Sequence, residues 1–297
     1  MEQRADGGVF KCLVYNGAVS LTLIDGGTFC AEGIKTHALT GVAAETFASA
    51  LLGAAFAGAC LKEETGEVSC TVKTDGALKN VTVSCSFALD VRGYIDRAEN
   101  EENGKGEFGQ SGYLLTVRND GYSRPFSGMC PLVYGDGTPA REQKEGAAEF
   151  FARNFKEYYR QSEQLPTAFV LRADAEKNEF LCAALQALPG DSGAWESAAE
   201  QTLNALLERY VRNGAKEDCF TAAERAAQET FGEISCKERR RAAYRCKCSR
   251  GYLKGVLASL GKEELNSILN ERGEITAHCH YCNKDYVFTK EDLKDLL

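Results

Sequence analysis

Along the first 130 or so residues, apolar side chains recur at every second position between turn signals. Val68, Cys70 and Val72 share one face of the run Glu67–Lys73, Asp75-Gly76 turns the chain, and Val81, Val83, Cys85 and Phe87 repeat the alternation. Gly112–Val117 adds a strand and Asn119-Asp120-Gly121 a further turn. Among these strands lies Val42–Leu61, long and apolar enough to raise the question of a membrane span. It contains Glu45, Thr46 and Ser49, and much of it is Ala and Gly. A helix buried in a core is the better reading, and the class is α+β.

Further on, the spacing becomes helical. Phe150, Phe151, Phe155, Tyr158 and Tyr159 predict a core-facing helix over Gly146–Gln164, stopped by Pro166. Phe169–Leu171 and Phe180–Leu188 read as closing core elements that end at Pro189-Gly190-Asp191. Trp195, Ala199, Leu203, Leu206, Tyr210 and Val211 then form an amphipathic stripe, broken at Asn213-Gly214. A second short helix opens on a capping box, Thr221 with Glu224 three residues on, and runs to about Phe231. Its apolar face is thin (Ala223, Ala227, Phe231), and such helices take most of their stability from whatever they pack against.

The C-terminal piece offers one helical face of Leu253, Val256, Leu257 and Leu260 and another of Leu265, Ile268 and Leu269, ended by Gly273. Glu274–His278 and Tyr286–Phe288 can pair as a hairpin. Thr289 predicts a last helix, with Asp292 at its third position and a Phe288/Leu293 staple. So few large apolar groups make too small a core to hold alone, so the module needs a staple. The expected organisation is a large N-terminal mixed α/β core domain (1–190), a helical metastable linker (191–240) and a small C-terminal zinc-binding domain (241–297).

Charge and cysteine usage sharpen the picture. The 297 residues carry a net charge of −8, yet from Cys236 onward 13 Lys/Arg face 9 Asp/Glu. That local +4 leaves −12 on the preceding part, an acidic body with a mildly basic tail. The N-terminal stretch has no apolar region of a secretory signal. Thirteen cysteines, most of them scattered singly in apolar contexts, suit a compartment where thiols stay reduced, so the expected location is cytoplasmic, with no membrane partner.

Four cysteines stand apart. Cys246-Lys247-Cys248 and Cys279-His280-Tyr281-Cys282 are two close pairs on two turns, and the helices between them can bring the pairs together as a tetrahedral thiolate site for one Zn²⁺. The metal supplies the missing staple, because ligand-binding free energy becomes folding free energy. His278 or His280 could replace one thiolate. Lys237, Arg239, Arg240, Arg241, Arg245, Lys247 and Arg250 flank the first pair against the single acid Glu238, a positive field that favours thiolate, the form oxidants attack. Two other readings are a zinc-ribbon nucleic-acid module, resting on the basic run, and a thiol oxidoreductase. With no Gly-rich phosphate loop, Ser/His/Asp set or paired-carboxylate motif standing out, an enzyme is not expected.

The cysteine pattern at the C-terminal end resembles that of the heat-shock protein 33 family of redox-regulated chaperones. Tyr158-Tyr159-Arg160-Gln161-Ser162-Glu163-Gln164-Leu165-Pro166-Thr167 is similar to that family's YYxxSEQxPT segment. Arg92-Gly93-Tyr94 and Gly112-Tyr113-Leu114-Leu115-Thr116-Val117 look like its RGY and GxLxV elements, and Ser259–Leu265 matches the stretch between its cysteine pairs. The resemblance implies an ATP-independent holdase, zinc-bound through Cys246, Cys248, Cys279 and Cys282 and idle when reduced. Oxidation would form disulfides Cys246–Cys248 and Cys279–Cys282, release zinc, unfold the linker and give a homodimer that holds unfolding client proteins. Two features depart from the family pattern: an acidic, insertion-like stretch over 98–106, and nine additional cysteines.

Overall fold

The structure is a computed structural model that describes residues 7–97, 106–135, 146–191, 193–214 and 217–297. All but the last residue of the acidic stretch 98–106 therefore lies outside the described residues. The chain divides into two compact units, one up to Tyr244 and one from Arg245.

The first unit begins with β1 (Gly8–Val14), β2 (Val19–Asp25), α1 (Gly27–Thr36) and α2 (Gly41–Ala59). Then come β3 (Glu67–Thr74), β4 (Leu78–Ser86), β5 (Asp90–Arg97), β6 (Gly112–Asn119), β7 (Phe126–Pro131) and α3 (Ala147–Tyr158). It ends with β8 (Thr167–Asp174), β9 (Glu179–Ala187), α4 (Ala199–Gly214), α5 (Cys219–Phe231), β10 (Ser235–Arg241) and β11 (Ala243–Tyr244). Among the described residues these strands make two sheets, ordered β10-β1-β2-β9-β8 and β11-β5-β4-β3-β6-β7. All neighbours are antiparallel except β11, which lies parallel to β5.

Helix α2 packs on strands of both sheets and on α3, and sixteen of its nineteen residues are buried. A helix apolar all round belongs in an interior, which is why membrane-like composition here marks the centre of a core. Its small residues let neighbours approach closely. A Cβ on Gly53 would stand 2.0 Å from the Phe155 ring of α3, and one on Gly58 would meet Cys85 Sγ of β4 at 2.3 Å. The alternation read from the sequence puts Val68, Cys70, Val72, Val81, Val83 and Cys85 on the side facing this helix, all buried. The aromatics of α3 are buried too, as core packing requires. α3 ends at Tyr158 and continues as a π-helical turn over Tyr159–Glu163, stopped by a left-handed Gln164 (φ +52°) ahead of Pro166.

The first sheet is apolar on both faces. Val9, Ile24, Phe180, Cys182 and Ala184 turn towards α2, whereas Phe10, Cys12, Val19, Leu21, Leu23, Leu181 and Leu185 turn the other way. That second face is covered by α4 and α5 through Trp195, Leu203, Leu206, Leu207, Tyr210, Ala222, Ala223, Ala226 and Ala227. The stripe predicted from Trp195 to Tyr210 is thus the lid of a second core. The cap of α5 differs from expectation. Asp218, not Thr221, is the N-cap, its carboxylate accepting from the backbone N–H groups of Phe220 and Thr221, so that the helix starts three residues earlier than expected. Glu224 instead pairs outward with Lys237 and Arg239 of β10.

The stretch 191–240 therefore folds on the first sheet, and β10 extends that sheet beyond β1 while β11 joins the edge of the other. One buried polar contact ties the lid down. Tyr210 Oη donates to Asp25 Oδ2, and Gly27 N–H donates to Asp25 Oδ1 at 2.9 Å. Tyr210→Phe removes one donor from a buried carboxylate and should cost about 1–3 kcal/mol. The expected result is a lower urea midpoint at unchanged slope, with hydrogen exchange in 199–231 accelerated ahead of α2. An unchanged midpoint would show that this contact does not fasten the lid.

Candidate metal centre

The second unit is built from α6 (Arg250–Ala258), α7 (Lys262–Arg272), β12 (Glu274–Cys279) and β13 (Lys284–Thr289). Ser249 caps α6, its Oγ accepting from Tyr252 N–H at 3.1 Å, and a left-handed Gly273 (φ +79°) ends α7. Buried Leu257, Leu265, Leu269, Ile275, Phe288 and Leu293 make the core, which is small for a unit of this length. The expected last helix is a series of turns. Thr289 and Asp292 do bond reciprocally, Asp292 Oδ2 accepting from Thr289 N–H at 2.8 Å, and Phe288 and Leu293 pack together, but 290–296 form turns rather than a helix.

Both cysteine pairs sit where the local backbone presents sulfur inward. Cys246 and Cys248 occupy irregular chain just before the Ser249 cap, the kind of turn a C-x-C pair needs to bring both side chains to one point. Cys279 ends β12 and Cys282 lies in the hairpin turn. Cys279 carbonyl accepts from Cys282 N–H (3.3 Å) and Asn283 N–H (2.8 Å), and Asn283 takes the left-handed conformation (φ +54°). The turn leads into strand β13 rather than opening a helix, unlike the dithiol of a thioredoxin-like oxidoreductase.

The four sulfurs converge. Cys246 Sγ lies 3.6 Å from Cys279 Sγ, Cys248 Sγ lies 3.1 Å from Cys282 Sγ, and all four fall within 4.8 Å of one another. A tetrahedral zinc with bonds of about 2.3 Å would set its sulfurs about 3.8 Å apart, so the four side chains fit that ion. His278 and His280 stand outside the cluster; His278 Nδ1 pairs with Asp285 Oδ1 at 2.7 Å across the hairpin.

The thiols are not equivalent. Burial, reinforced by hydrogen bonding to Cys248 and Cys279, pushes Cys246 up to about 11, and burial likewise raises Cys282. For Cys248, burial is outweighed by hydrogen bonds from Tyr286 Oη, at 3.2 Å, and from the neighbouring thiols, which bring it down to about 7. Tyr286 was not singled out in the sequence. The available signal was its place two residues before Phe288 on a strand, which turns it towards the core with a polar tip in need of a partner.

The basic run is divided. Lys237, Arg239, Arg240 and Arg241 lie on β10 in the first unit, where Glu224 holds the first two, Arg240 stacks over Phe87 (4.5 Å), and Arg241 lies over Phe220 (5.6 Å). In the second unit Arg250 pairs with Asp292 at 2.8 Å and stacks over Phe288 at 4.5 Å. These cations serve as struts between elements.

A two-sheet α+β unit followed by a small module with four convergent cysteines defines a protein whose last segment is built around thiol chemistry. The chain belongs to the Hsp33 protein family, whose model matches residues 8–289. This is a family of chaperones, not an enzyme class. Similar proteins include the 33 kDa chaperonin of Bacillus cytotoxicus, 28% identical and covering 97% of both chains. That of Acetivibrio thermocellus is 27% identical over 90% of this chain and 88% of its own. The crystal structure of the 33 kDa chaperonin from Thermotoga maritima shares the fold, with a TM-score of 0.68 at 24% identity over 98% and 97% of the two chains.

If the four sulfurs hold the metal that staples this unit, the reduced protein should contain one zinc per chain. Cys246→Ser and Cys279→Ser should each abolish stoichiometric, tight binding in metal analysis. Chelation should erase hydrogen-exchange protection over 245–297 while sparing α2. Full zinc in both variants would place the site elsewhere, and unchanged protection in the apo protein would make the metal structurally irrelevant.

Proposed function

We propose that this chain is a redox-regulated, ATP-independent holdase of the cytoplasm. In this reading the reduced protein binds zinc through Cys246, Cys248, Cys279 and Cys282 and is idle. The observation that carries it is the pairing of two features in one chain: a cysteine module with a minimal apolar core, and, immediately before it, helices that cover a large apolar sheet face.

Oxidation removes thiolates as ligands. Disulfides Cys246–Cys248 and Cys279–Cys282 would consume all four, so zinc leaves and the module loses the free energy that held it, about 10–16 kcal/mol for structural zinc sites. The chain enters the module directly after β11, a strand of two residues, and β10 is an exposed edge strand held by its ladder to β1 and by the pairs to Glu224. Segments with exposed backbone bonds and few apolar contacts open first. With β10 and β11 frayed, α4 and α5 retain only their own packing. Their release would bare Phe10, Val19, Leu21, Leu23, Leu181 and Leu185, together with the stripe from Trp195 to Tyr210. A contiguous apolar surface of this kind binds unfolding proteins and supports pairing of two oxidised chains. The alternative of a nucleic-acid module draws no support from β10, whose cations are engaged within the chain.

Aggregation of an unfolding test protein should proceed unhindered with the reduced, zinc-loaded chain and be suppressed after peroxide or hypochlorite treatment. Leu206→Asp places a charge at a fully buried lid position, costs at least ~3 kcal/mol of docking, and should give partial activity with zinc still bound. If that variant is as idle as the parent, and the oxidised parent keeps a protease-resistant 191–240, activation does not proceed by lid release.

A further inference from the structure

The Tyr286 hydroxyl reaches into the sulfur cluster from outside the ligand set. Tyr286 lies on β13 opposite Ala277, its ring partly buried against the module's core, and its Oη ends 3.2 Å from Cys248 Sγ. The four sulfurs are served differently. Cys246 faces the backbone N–H of Cys248 at 3.5 Å, whereas Cys248 has a side-chain hydroxyl held by a strand 38 residues away. A thiolate carries no proton and a phenol carries one, so towards a deprotonated Cys248 the hydroxyl is the donor.

We propose that Tyr286 is a positioning residue of the cysteine cluster, its O–H···S hydrogen bond orienting Cys248 for the metal and damping that sulfur's reactivity towards oxidants. This rests on the reading of the four cysteines as zinc ligands. A hydrogen bond fixes the ligand atom in place, so it strengthens metal retention; groups in this role are worth about 10–100-fold in affinity. The same bond withdraws charge from sulfur. Oxidation by hydrogen peroxide begins when the thiolate attacks one peroxide oxygen, the O–O bond breaks, hydroxide leaves and a sulfenic acid forms. A neighbouring thiol then displaces the sulfenic oxygen as water, forming the disulfide. A sulfur with less charge takes the first step more slowly. Tyr286 thus sets how much oxidant the module tolerates before it gives up its metal, and it does so without being a ligand.

The test compares full-length parent, Tyr286→Phe and Tyr252→Phe, the last an exposed tyrosine of α6. Phenylalanine keeps the ring packing and removes only the donor. Zinc affinity, measured by competition with a chromogenic chelator, should fall about tenfold in Tyr286→Phe. Peroxide-driven zinc release should accelerate roughly threefold, with alkylation of Cys248 rising relative to Cys246. Tyr252→Phe should match the parent. A monofluorinated tyrosine at 286, a stronger donor of the same shape, should shift both readouts in the opposite direction. A parent that binds no zinc overturns the metal-centre reading itself. A zinc-binding parent with an indistinguishable Tyr286→Phe, or equal shifts in Tyr252→Phe, overturns the role of Tyr286 and leaves that reading intact.

Discussion

Strands β1, β2 and β9 carry large apolar side chains on both sides of their sheet, so neither face can meet water without cost. One face has its partner in α2, which also packs on α1, α3 and strands of the other sheet. The opposite face, with Phe10, Val19, Leu21, Leu23, Leu181 and Leu185, is covered among the described residues by Trp195, α4 and α5. At roughly 25 cal/mol per Å2, burying a single such side chain is worth about 1.5–3 kcal/mol. The lid is therefore held by several large side chains acting together. That requirement for cover determines the rest of the arrangement: the length of the segment after β9, its stripe of Trp195 to Tyr210, the buried Tyr210–Asp25 contact, and the run of β10 and β11 along the edges of both sheets.

The module at the end of the chain is governed by the opposite balance. Six buried apolar residues leave little beyond the entropy of ordering the unit, and a metal held by the four convergent sulfurs would join the turn before α6 to the β12–β13 hairpin at one point. A fold stapled by such a metal would respond steeply to ligand chemistry, because each thiolate lost would be a strut lost. A larger core would make the module stable and chemically indifferent. A smaller one would give a module that never forms. The modest apolar content is thus consistent with a unit whose order depends on the oxidation state of its cysteines.

What could be read from the sequence was what depends on local spacing. The alternation of β3 and β4, the helix of aromatics before Pro166, and the two cysteine pairs are short-range patterns, and the structure places each of them accordingly. The family resemblance rested on segments of the same kind. Edge and lid roles were harder to see. β10 reads as a solvated basic run because its side chains are exposed; what makes it a strand is the ladder to β1, a long-range pairing that leaves no period in the residues themselves. Its bulge, with Cys236 in the left-handed region (φ +49°), further blurs any alternation. The cap of α5 was misplaced because Thr221 and Glu224 satisfy the capping-box spacing, while the helix already starts at Cys219 on the Asp218 cap three residues earlier. The hydroxyl of Tyr286 beside Cys248 could not be seen at all, since it depends on how the hairpin folds back over the C-x-C turn.

Thirteen cysteines look like a liability in a protein proposed to be switched by oxidants, and burial answers it for most of those in the first unit, the exposed Cys236 of β10 being the exception. Burial pushes Cys12 and Cys70 up to about 12, raises Cys60, and holds Cys30, Cys85 and Cys182 well above the ordinary thiol range. At neutral pH these groups are thiols in a dry interior, and neutral thiols are poor nucleophiles. In the module a bound metal would keep all four sulfurs deprotonated. An oxidant is thus directed by electrostatics to the end of the chain where reaction has a structural consequence. The same large apolar core that stabilises the first unit is what keeps its buried sulfurs silent, so the number of cysteines matters less than which of them share a face with water.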